Sequence, residues 1–352
     1  MAAGRYSRSP WLKLAEGSIN IFMIANDALV MLMLCSRLGL EPDPDPKPLT
    51  VRKWNTLARK IQASSLKRPG ALLGLSTGDL EVELQIDLIE AEELAHLLDR
   101  SGTLAIELER LASIGIDVIT RGDDDYPERY RERLKGAAPP VLFYAGEKAL
   151  LGQRGIAIVG SRHLDDTGKK CAEWVGNACG RSGMVLYSGG AKGVDTISMT
   201  TSLAARGFAV GVMANNMDRS LRIPEYREAI QKGGLCLLTP YLPSASFNVG
   251  LAMGRNRLIY TLADYAIVVA SSANKGGTWS GATENIRRGW IQLFVVEYKD
   301  MPEGNRLLIE HGGISLPVDK LENDKALVEY LESGSKNDPE KPSQLLFFDE
   351  SE

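Results

Sequence analysis

The sequence predicts an α/β fold: a mainly parallel, doubly wound sheet covered by helices, preceded by a small all-helical N-terminal domain. From Ile116 onward, short runs of apolar residues alternate with stretches long enough to form helices. Strands that are apolar throughout are typical of parallel sheets buried on both faces by their helical connections. Before Ile116 the apolar residues instead recur at helical spacing, which predicts helices alone.

The helical domain is predicted to comprise residues 1–115. Thr50 is placed to cap a helix that runs to Ile61, because a threonine hydroxyl can accept a hydrogen bond from a free amide of the first turn. One face of that helix carries Val51, Trp54, Leu57, Ala58 and Ile61. Further helices are expected over Leu72–Leu80, Val82–Arg100 and Thr103–Ile114.

An apolar segment, Ile19–Leu34, raises the question of a membrane span. Asn26 and Asp27 interrupt it near the middle, and the segment is short for a bilayer. The proline-rich stretch Glu41–Pro48 then breaks the helical pattern. We therefore interpret the segment as a buried helix. No signal-peptide pattern is present, so a cytoplasmic location is expected.

Residues 116–332 form the second predicted domain, and they contain eight short apolar runs. These predict strands at Asp117–Ile119, Val141–Tyr144, Ile156–Val159, Met184–Tyr187, Phe208–Met213, Leu235–Leu238, Ala266–Ala270 and Leu293–Val296. Helices are expected between them, over Lys169–Arg181, Thr196–Arg206, Glu225–Lys232, Asn256–Ala263 and Ala282–Arg288. Residues 333–352 are polar and acidic, which predicts a disordered tail.

Composition excludes several classes of site. The formal net charge of the 352-residue chain is −4, so binding to nucleic acid would need a local basic patch. Four scattered cysteines without CxxC spacing and only three histidines argue against a metal centre. The dinucleotide fingerprint GxGxxG and the Walker A pattern are both absent, which disfavours NAD binding and ATP hydrolysis. No cofactor or metal ion is expected.

Four separated segments, each adjoining a predicted strand, together predict a phosphate-binding site. They are Ile156–Arg162, Ser188–Asp195, Gly254–Ile259 and Lys275–Gly281. Amides at helix N-termini favour anions, and glycine lets a ligand approach the backbone. A nucleotide or a nucleic-acid strand over the strand ends is therefore expected. The candidate contact residues are Gly160, Ser161, Arg162, Ser188, Gly189, Gly190, Lys192, Gly193, Arg255, Asn256, Arg257, Lys275, Gly276, Gly277 and Thr278.

These segments also have structural interpretations. The glycines of SGGAKGVD could serve close packing of a helix on the sheet, with Asp195 capping that helix. Arg255 and Arg257 are expected near a helix start, where cations oppose the helix dipole unless an anion neutralises them. Alternatively, one of them pairs with an internal acid such as Asp264. Trp279 either offers a face for base stacking or packs into the core.

In their order along the chain, these motifs resemble the DprA/Smf family, the DNA-processing proteins of bacterial transformation. The shared features are the GSR turn, the SGGAKGVD loop, the RNR sequence and the glycine turn before Ala282. The resemblance covers residues 67–330. Within it, other segments resemble the lead-in strand and the closing segment of the family's Rossmann-like domain: Tyr126–Pro127, Pro139–Pro140, Leu142–Gly146 and Gly304–Gly313.

The resemblance implies an extended Rossmann-like fold and a non-catalytic homodimer. It implies binding of single-stranded DNA without sequence preference and assistance in loading a RecA-type recombinase. Arg162 and Lys192 match DNA-contact positions of the family, and Arg255 and Arg257 match its basic pocket. Many relatives end in a winged-helix domain, whereas here only Ser333–Glu352 follows.

An alternative function is also open, because the GGTWSGATE stretch resembles the LOG group of nucleotide phosphoribohydrolases. The wider superfamily includes nucleotide sensors in antiviral defence. Under this alternative, Glu284 is the catalytic acid or base and the ligand is a small nucleotide. A hydrolase needs Glu284 aimed at the ribose, whereas a strand binder needs an open groove with several cations.

The tail carries one further motif. Gln344–Phe348 (QLLFF) resembles the QLxLF peptide by which bacterial proteins dock on the sliding clamp of DNA polymerase, although Phe347 stands where leucine is usual. A docking peptide at the end of a polar linker is free to order on binding. The alternative is a final strand or hook that folds back on this protein or its dimer mate.

Overall fold

A computed structural model describes residues 24–334 of the chain, apart from 215, 247 and 322. The chain divides into two compact units. Of the described residues, one unit comprises those up to Lys148 together with those of 213–248, and the other comprises Ala149–Val212 and those from Val249 onward. The predicted domain boundaries after residues 115 and 332 stay a prediction, because compactness alone does not show which segments fold independently. The QLLFF motif lies outside the described residues.

Within the described residues, helices alone precede the first strand, and helices and strands largely alternate after it. In chain order, the helices are α1 Asn26–Cys35, α2 Val51–Ala63, α3 Thr77–Leu84, α4 Leu88–Leu98, α5 Ser101–Ser113, α6 Glu128–Leu134, α7 Asp166–Ser182, α8 Val194–Ala204, α9 Met217–Ser220, α10 Pro224–Gln231, α11 Val249–Leu262, α12 Gly276–Arg288, α13 Glu303–Glu310 and α14 Asp324–Gly334. The strands are β1 Asp117–Thr120, β2 Val141–Gly146, β3 Gly155–Val159, β4 Val185–Ser188, β5 Phe208–Val212, β6 Leu235–Thr239, β7 Tyr265–Val268, β8 Gln292–Glu297 and β9 Ile314–Pro317.

Helices α1–α4 pack around one apolar core. The Thr50 hydroxyl accepts a hydrogen bond from the Lys53 amide at 3.3 Å, which confirms the predicted cap of α2. The single helix predicted over Val82–Arg100 is wrong. Gln85 is left-handed at φ 50°, and Asp87 caps α4 through the Glu90 amide at 2.8 Å. The break lets α3 and α4 each turn an apolar face to the same core.

The described part of the apolar segment Ile19–Leu34 forms most of α1, whose side chains from Val30 to Leu34 are buried. Asp27 binds the Arg68 guanidinium at 2.9 Å and accepts a hydrogen bond from the Gly70 amide at 2.6 Å. Asn26 and Asp27, the polar residues that interrupt the apolar segment, are the first two residues of α1. Within the described residues, no helix is long and apolar enough to cross a membrane.

The unit that contains the N-terminal helices also holds strands β1, β2 and β6, in the order β1-β2-β6. Both pairings are antiparallel, with Val118 opposite Phe143 and Tyr144 opposite Leu238. The apolar runs predict these strands but not their direction. Neither connection is a tight hairpin, since α6 lies between β1 and β2 and several elements lie between β2 and β6.

The other unit holds six strands in the order β5-β4-β3-β7-β8-β9. Every pair in this series is parallel, which confirms the mainly parallel sheet. Strand β9 is an addition to the predicted set. Because β3 pairs with β4 on one side and with β7 on the other, the chain reverses its winding direction between β3 and β7. Crevices at such switch points, outside the carboxyl ends of the strands, are where doubly wound sheets bind ligands.

Candidate nucleic-acid interface

The four predicted segments come together at the carboxyl ends of β3, β4 and β7, and direct contacts join them. The Ser161 amide, in the turn after β3, donates to the Ala270 carbonyl beyond β7 at 2.8 Å. A Cβ on Gly193 would lie 2.3 Å from the Ser161 carbonyl oxygen, so the loop after β4 presses on that turn. The Asn256 amide group on α11 donates to the Gly277 carbonyl on α12 at 2.8 Å.

Asp195 organises the loop between β4 and α8, which we define as the glycine loop, residues 189–193. Its carboxylate accepts hydrogen bonds from the amides of Gly189 at 3.1 Å and Ala191 at 3.4 Å. The sequence predicts that Asp195 caps the following helix. That helix instead begins at Val194, so Asp195 lies inside its first turn and folds back over the loop.

Glycine is needed in this loop both for space and for backbone conformation. A Cβ on Gly189 would lie about 2.5 Å from the Arg255 guanidinium. Gly193 has φ +89°, a left-handed conformation that glycine adopts without steric cost. The close-packing interpretation of these glycines therefore applies. It leaves phosphate binding open, because among the described residues the amides of Gly190, Lys192 and Gly193 make no hydrogen bond.

Two candidate contact residues are buried. Ser188 is fully buried, and its hydroxyl donates to the Ile158 carbonyl of β3 at 2.7 Å. Arg255 is 5% exposed, and its guanidinium donates to the Gly189 carbonyl at 2.7 Å and to the Val212 carbonyl. Both side chains bind backbone carbonyls of the sheet and the glycine loop. Their assignment as phosphate contacts stays a prediction.

The prediction that Arg255 and Arg257 begin a helix is also wrong. Helix α11 begins at Val249, so Arg255 and Arg257 are the seventh and ninth of its fourteen residues and lie in its middle. Gly250 and Gly254 disfavour helix, and they obscure the true start in the sequence. The helix-dipole argument for an anion at these arginines therefore fails. The guanidinium of Arg255 interacts with backbone carbonyls, as just described.

The remaining cations differ in exposure. Arg162, Lys192 and Lys275 are exposed, and Arg257 is half-buried. Among the described residues, neither Lys192 nor Lys275 forms an ion pair. Arg257 Nε is buried and has no hydrogen-bond partner among the residues that the structure describes. Cations that are not already neutralised by acids are the ones that remain available to an anionic ligand.

The N-terminus of α12 contributes uncapped amides. Lys275 precedes it in an extended conformation with no side-chain cap, and Gly276 has φ +86°. The first amides of a helix have no partner inside it, and the helix dipole favours an anion there. Gly277 and Thr278 lie half-buried in this first turn. This start is therefore suited to a phosphate group.

Trp279 and Glu284 lie farther along α12, and both are half-buried. Trp279 makes an edge contact with His311, with ring centroids 5.9 Å apart, so base stacking on it stays a prediction. The Tyr260 hydroxyl is buried and has no hydrogen-bond partner among the described residues. Burial raises the pKa of Tyr260, and the negative charges of Asp195 and Glu284 raise it further.

Sequence reasoning assigns contact roles but misses the residues that shape the site. It makes Asp195 a helix cap, and it does not foresee the bond from Asn256 to Gly277. These roles depend on which strands are neighbours, and a single sequence does not show that. The Gly-Gly pairs at 189–190 and 276–277 are the available signal, because each marks a close approach of the backbone.

Comparison with known proteins agrees with the fold. Residues 117–323 match the family described as DNA recombination-mediator protein A. Protein Smf from Synechocystis sp. is 30% identical over 165 residues, which are 45% of this chain and 40% of that protein. DNA processing protein DprA from Bacillus subtilis is 28% identical over 157 residues, which are 43% of this chain and 51% of that protein. The chain thus spans about half the length of these curated relatives.

Two solved structures share the architecture. DNA processing protein A from Streptococcus pneumoniae superposes with a TM-score of 0.65 at 20% identity, covering 88% of this chain and 98% of that one. The Helicobacter pylori protein, studied for its single-stranded DNA binding mode, gives a TM-score of 0.50 at 22% identity, over 61% of this chain and 97% of that one. At these identities the likeness concerns the fold. The family match spans more than half of the chain, and the chain therefore belongs to the DNA recombination-mediator protein A family, the DprA/Smf family.

Proposed function

We propose that this protein binds single-stranded DNA through its phosphate backbone, without sequence preference and without catalysing a reaction. One observation carries the proposal: exposed lysines, and amides that have no partner among the described residues, gather at the carboxyl edge of a parallel sheet. The groups proposed to contact phosphates are Arg162, Lys192, Arg257 and Lys275 with the amides of Gly190, Gly193, Gly276 and Gly277.

The surroundings of these groups favour backbone recognition over base readout. A lysine is a flexible point charge, and a helix N-terminus binds any phosphate regardless of the attached base. The chain as a whole carries a net charge of −4, so attraction to DNA has to arise locally. Affinity should therefore depend on salt and hardly on sequence.

Salt titration tests the proposal. We expect Lys192→Ala and Lys275→Ala each to weaken binding of labelled oligo-dT and of a mixed-sequence oligonucleotide to a similar extent. Removal of one phosphate contact should make the slope of log K against log salt shallower by about 0.7. Arg162→Ala should behave likewise if its side chain also reaches a phosphate.

Arg288→Ala is the matched control. Arg288 is exposed in the last turn of α12, at the other end of the helix from Lys275. Its removal should leave both affinity and slope unchanged. If the Lys192→Ala, Lys275→Ala double variant keeps the parent slope while folded, the phosphate contacts lie elsewhere and the proposed site is wrong.

The alternative function, action on a small nucleotide, depends on Glu284. This carboxylate lies half-buried on α12, and its charge acts on the buried Tyr260 hydroxyl. We expect no release of free base from AMP, and oligo-dT affinity unchanged in Glu284→Gln. Base release that disappears in Glu284→Gln would establish the phosphoribohydrolase instead, and tight mononucleotide binding without hydrolysis would indicate a sensor.

The proposed partners follow from membership of the family. We propose that the chain forms a homodimer and helps to load a RecA-type recombinase onto single-stranded DNA during DNA uptake, recombination or repair. A strand-exchange assay in which single-stranded-DNA-binding protein blocks recombinase loading tests this. The protein should relieve the block, and the Lys192→Ala, Lys275→Ala double variant should not.

We also propose that Gln344–Phe348 docks on the sliding clamp.

A further inference from the structure

Asp195 fixes the direction in which the amides of the glycine loop point. Its carboxylate accepts from the Gly189 and Ala191 amides, so these two donors face the interior. Asp195 itself is 6% exposed. The intervening Gly190 amide and the following amides of Lys192 and Gly193 make no hydrogen bond within the described part of the chain. The Gly190 amide lies between two amides that the Asp195 carboxylate holds, namely the first and third of the loop.

Arg255 holds the same loop from the carbonyl side. Its guanidinium donates to the Gly189 carbonyl at 2.7 Å and also to the Val212 carbonyl at the end of β5. The Asp195 carboxylate thus binds the amide of Gly189, and the Arg255 guanidinium binds its carbonyl. Both of these side chains are buried. A Cβ at Gly189 would collide with the guanidinium. The backbone therefore has little freedom at this residue.

We propose that Asp195, together with Arg255, is a positioning residue that holds the glycine loop in its phosphate-binding shape, so that DNA affinity falls when the carboxylate is neutralised. This inference rests on the proposed function. The carboxylate acts through the loop amides and does not touch the DNA. Ionised oxygens accept hydrogen bonds about twice as strong as those of neutral groups. Loss of the charge should therefore loosen the loop.

The carboxylate is able to change charge under mild acid. Burial raises the pKa of Asp195 to about 6, although Arg255 and the two loop amides oppose the rise. Charged and titratable groups face it from each packed element. Arg255 and Tyr260 face it from α11, with Glu284 of α12 behind Tyr260. Lys192 is in the glycine loop, and Arg162 lies on the turn that contacts Gly193.

His163 follows Arg162 on the turn that contacts Gly193, and its side chain is removed so that a change of affinity with pH reports on Asp195. The test therefore uses the His163→Gln protein as its parent. Oligo-dT affinity is measured by fluorescence anisotropy from about pH 8 to about pH 5, a range that brackets the proposed titration. Salt is held constant.

The parent should bind about tenfold more weakly at the acid end, a loss equal to one good contact. Asp195→Asn keeps the shape of the side chain without its charge. It should bind weakly at every pH, close to the acid value of the parent. A parent with flat affinity, or an Asn variant that keeps the pH dependence of the parent, would overturn the proposal. Melting temperatures verify that the variant is folded.

A second measurement needs neither DNA nor the Asn variant. In the free parent protein, the NMR amide signals of Gly189 and Ala191 should shift together with a midpoint near the pKa of Asp195, about 6. If these two amides do not titrate, the positioning role is wrong even if DNA binds. If they titrate but oligo-dT is not bound at any pH, the proposed function fails and the coupling within the loop stands.

Discussion

Arg255 and Arg257 are separated by one residue, yet their surroundings differ completely. Two positions along an α-helix correspond to about 200° of rotation, so the side chains leave α11 on opposite faces. Arg255 points into the interior and binds backbone carbonyls. Arg257 is half-buried, and its Nε has no hydrogen-bond partner among the described residues. The RNR sequence thus combines one structural and one candidate contact arginine.

This difference predicts that Arg255→Ala changes the stability of the fold and that Arg257→Ala does not. Arg257→Ala should weaken oligo-dT binding by about tenfold, because the substitution removes a charge-assisted phosphate contact. Its melting temperature should stay close to that of the parent. Arg255→Ala should instead destabilise the fold by about 3 kcal/mol, because the buried carbonyls lose their donors. Anisotropy and urea denaturation on both variants measure the two effects.

A folded Arg255→Ala protein of parental stability would contradict the structural role. Equal loss of DNA affinity from both substitutions, with no change in stability, would place both arginines in the ligand site. Arg257→Lys offers a further check. It keeps the charge and should retain much of the affinity if the contact is a single phosphate and not a two-pronged one.

The sequence identifies the cations of the site but not their separate roles. Lys192 and Lys275 lie exposed in the predicted segments. Helical periodicity would separate Arg255 from Arg257 once the start of α11 is placed correctly. The buried hydrogen bond of Ser188 cannot be predicted from the sequence, because its acceptor is the Ile158 carbonyl on the neighbouring strand. Such partners depend on strand order.

Helix α1 shows how an element is held by one distant side chain. The Arg100 guanidinium donates to the carbonyls of Met33 and Ser36 at the end of this helix. It also donates to the Leu32 carbonyl, which accepts from the Ser36 amide as well. Arg100 is 8% exposed. Burial lowers its pKa to about 10, which still leaves it charged at neutral pH. A cation at a helix C-terminus also complements the helix dipole.

We expect Arg100→Ala to destabilise the protein by about 3 kcal/mol, because several buried carbonyls lose their donor at once. Arg59→Ala is the control. Arg59 is exposed on α2, and its removal should change stability by no more than about 0.5 kcal/mol. Urea denaturation followed by circular dichroism measures both. Similar stability of the two variants would show that water replaces Arg100 at the end of α1.

Elements are more predictable from this sequence than their arrangement. The eight predicted apolar runs correspond to β1–β8, because buried strands leave a strong compositional signal. Strand β9, Ile314–Pro317, escapes prediction since it is short, half-buried and ends in proline. The antiparallel pairing of β1, β2 and β6 carries no such signal. An apolar run shows that a strand is buried but not which way its neighbours point.

The net charge of the whole chain and the local charge of the proposed interface have to be considered separately. The net charge of −4 produces no general attraction to DNA, so the proposed interface depends on a few local cations. Few phosphate contacts imply a modest salt slope, since the slope grows with the number of contacts. A second copy of the chain would double the contacts along one strand. Homodimer formation would therefore raise affinity for long oligonucleotides more than for short ones.

The C-terminal segment carries the motif Gln344–Phe348. Four consecutive apolar side chains follow Gln344 in an otherwise polar, acidic stretch, and such side chains need a surface that buries them. If the sliding clamp supplies that surface, a peptide spanning Lys341–Glu352 should bind it at about micromolar strength, as short docking peptides do. The Leu345→Ala, Phe348→Ala double variant of the peptide should not bind. Titration calorimetry with purified clamp measures both peptides.

The competing interpretation is a strand or hook that packs on this protein or on its dimer mate. It makes the opposite pair of predictions. The peptide should then show no affinity for the clamp, and deletion of Ser343–Glu352 should lower the melting temperature because it removes buried apolar surface. Under the docking hypothesis the same deletion leaves the melting temperature unchanged and removes clamp binding from the full chain. The two hypotheses therefore differ in both measurements, and neither result depends on whether the protein binds DNA.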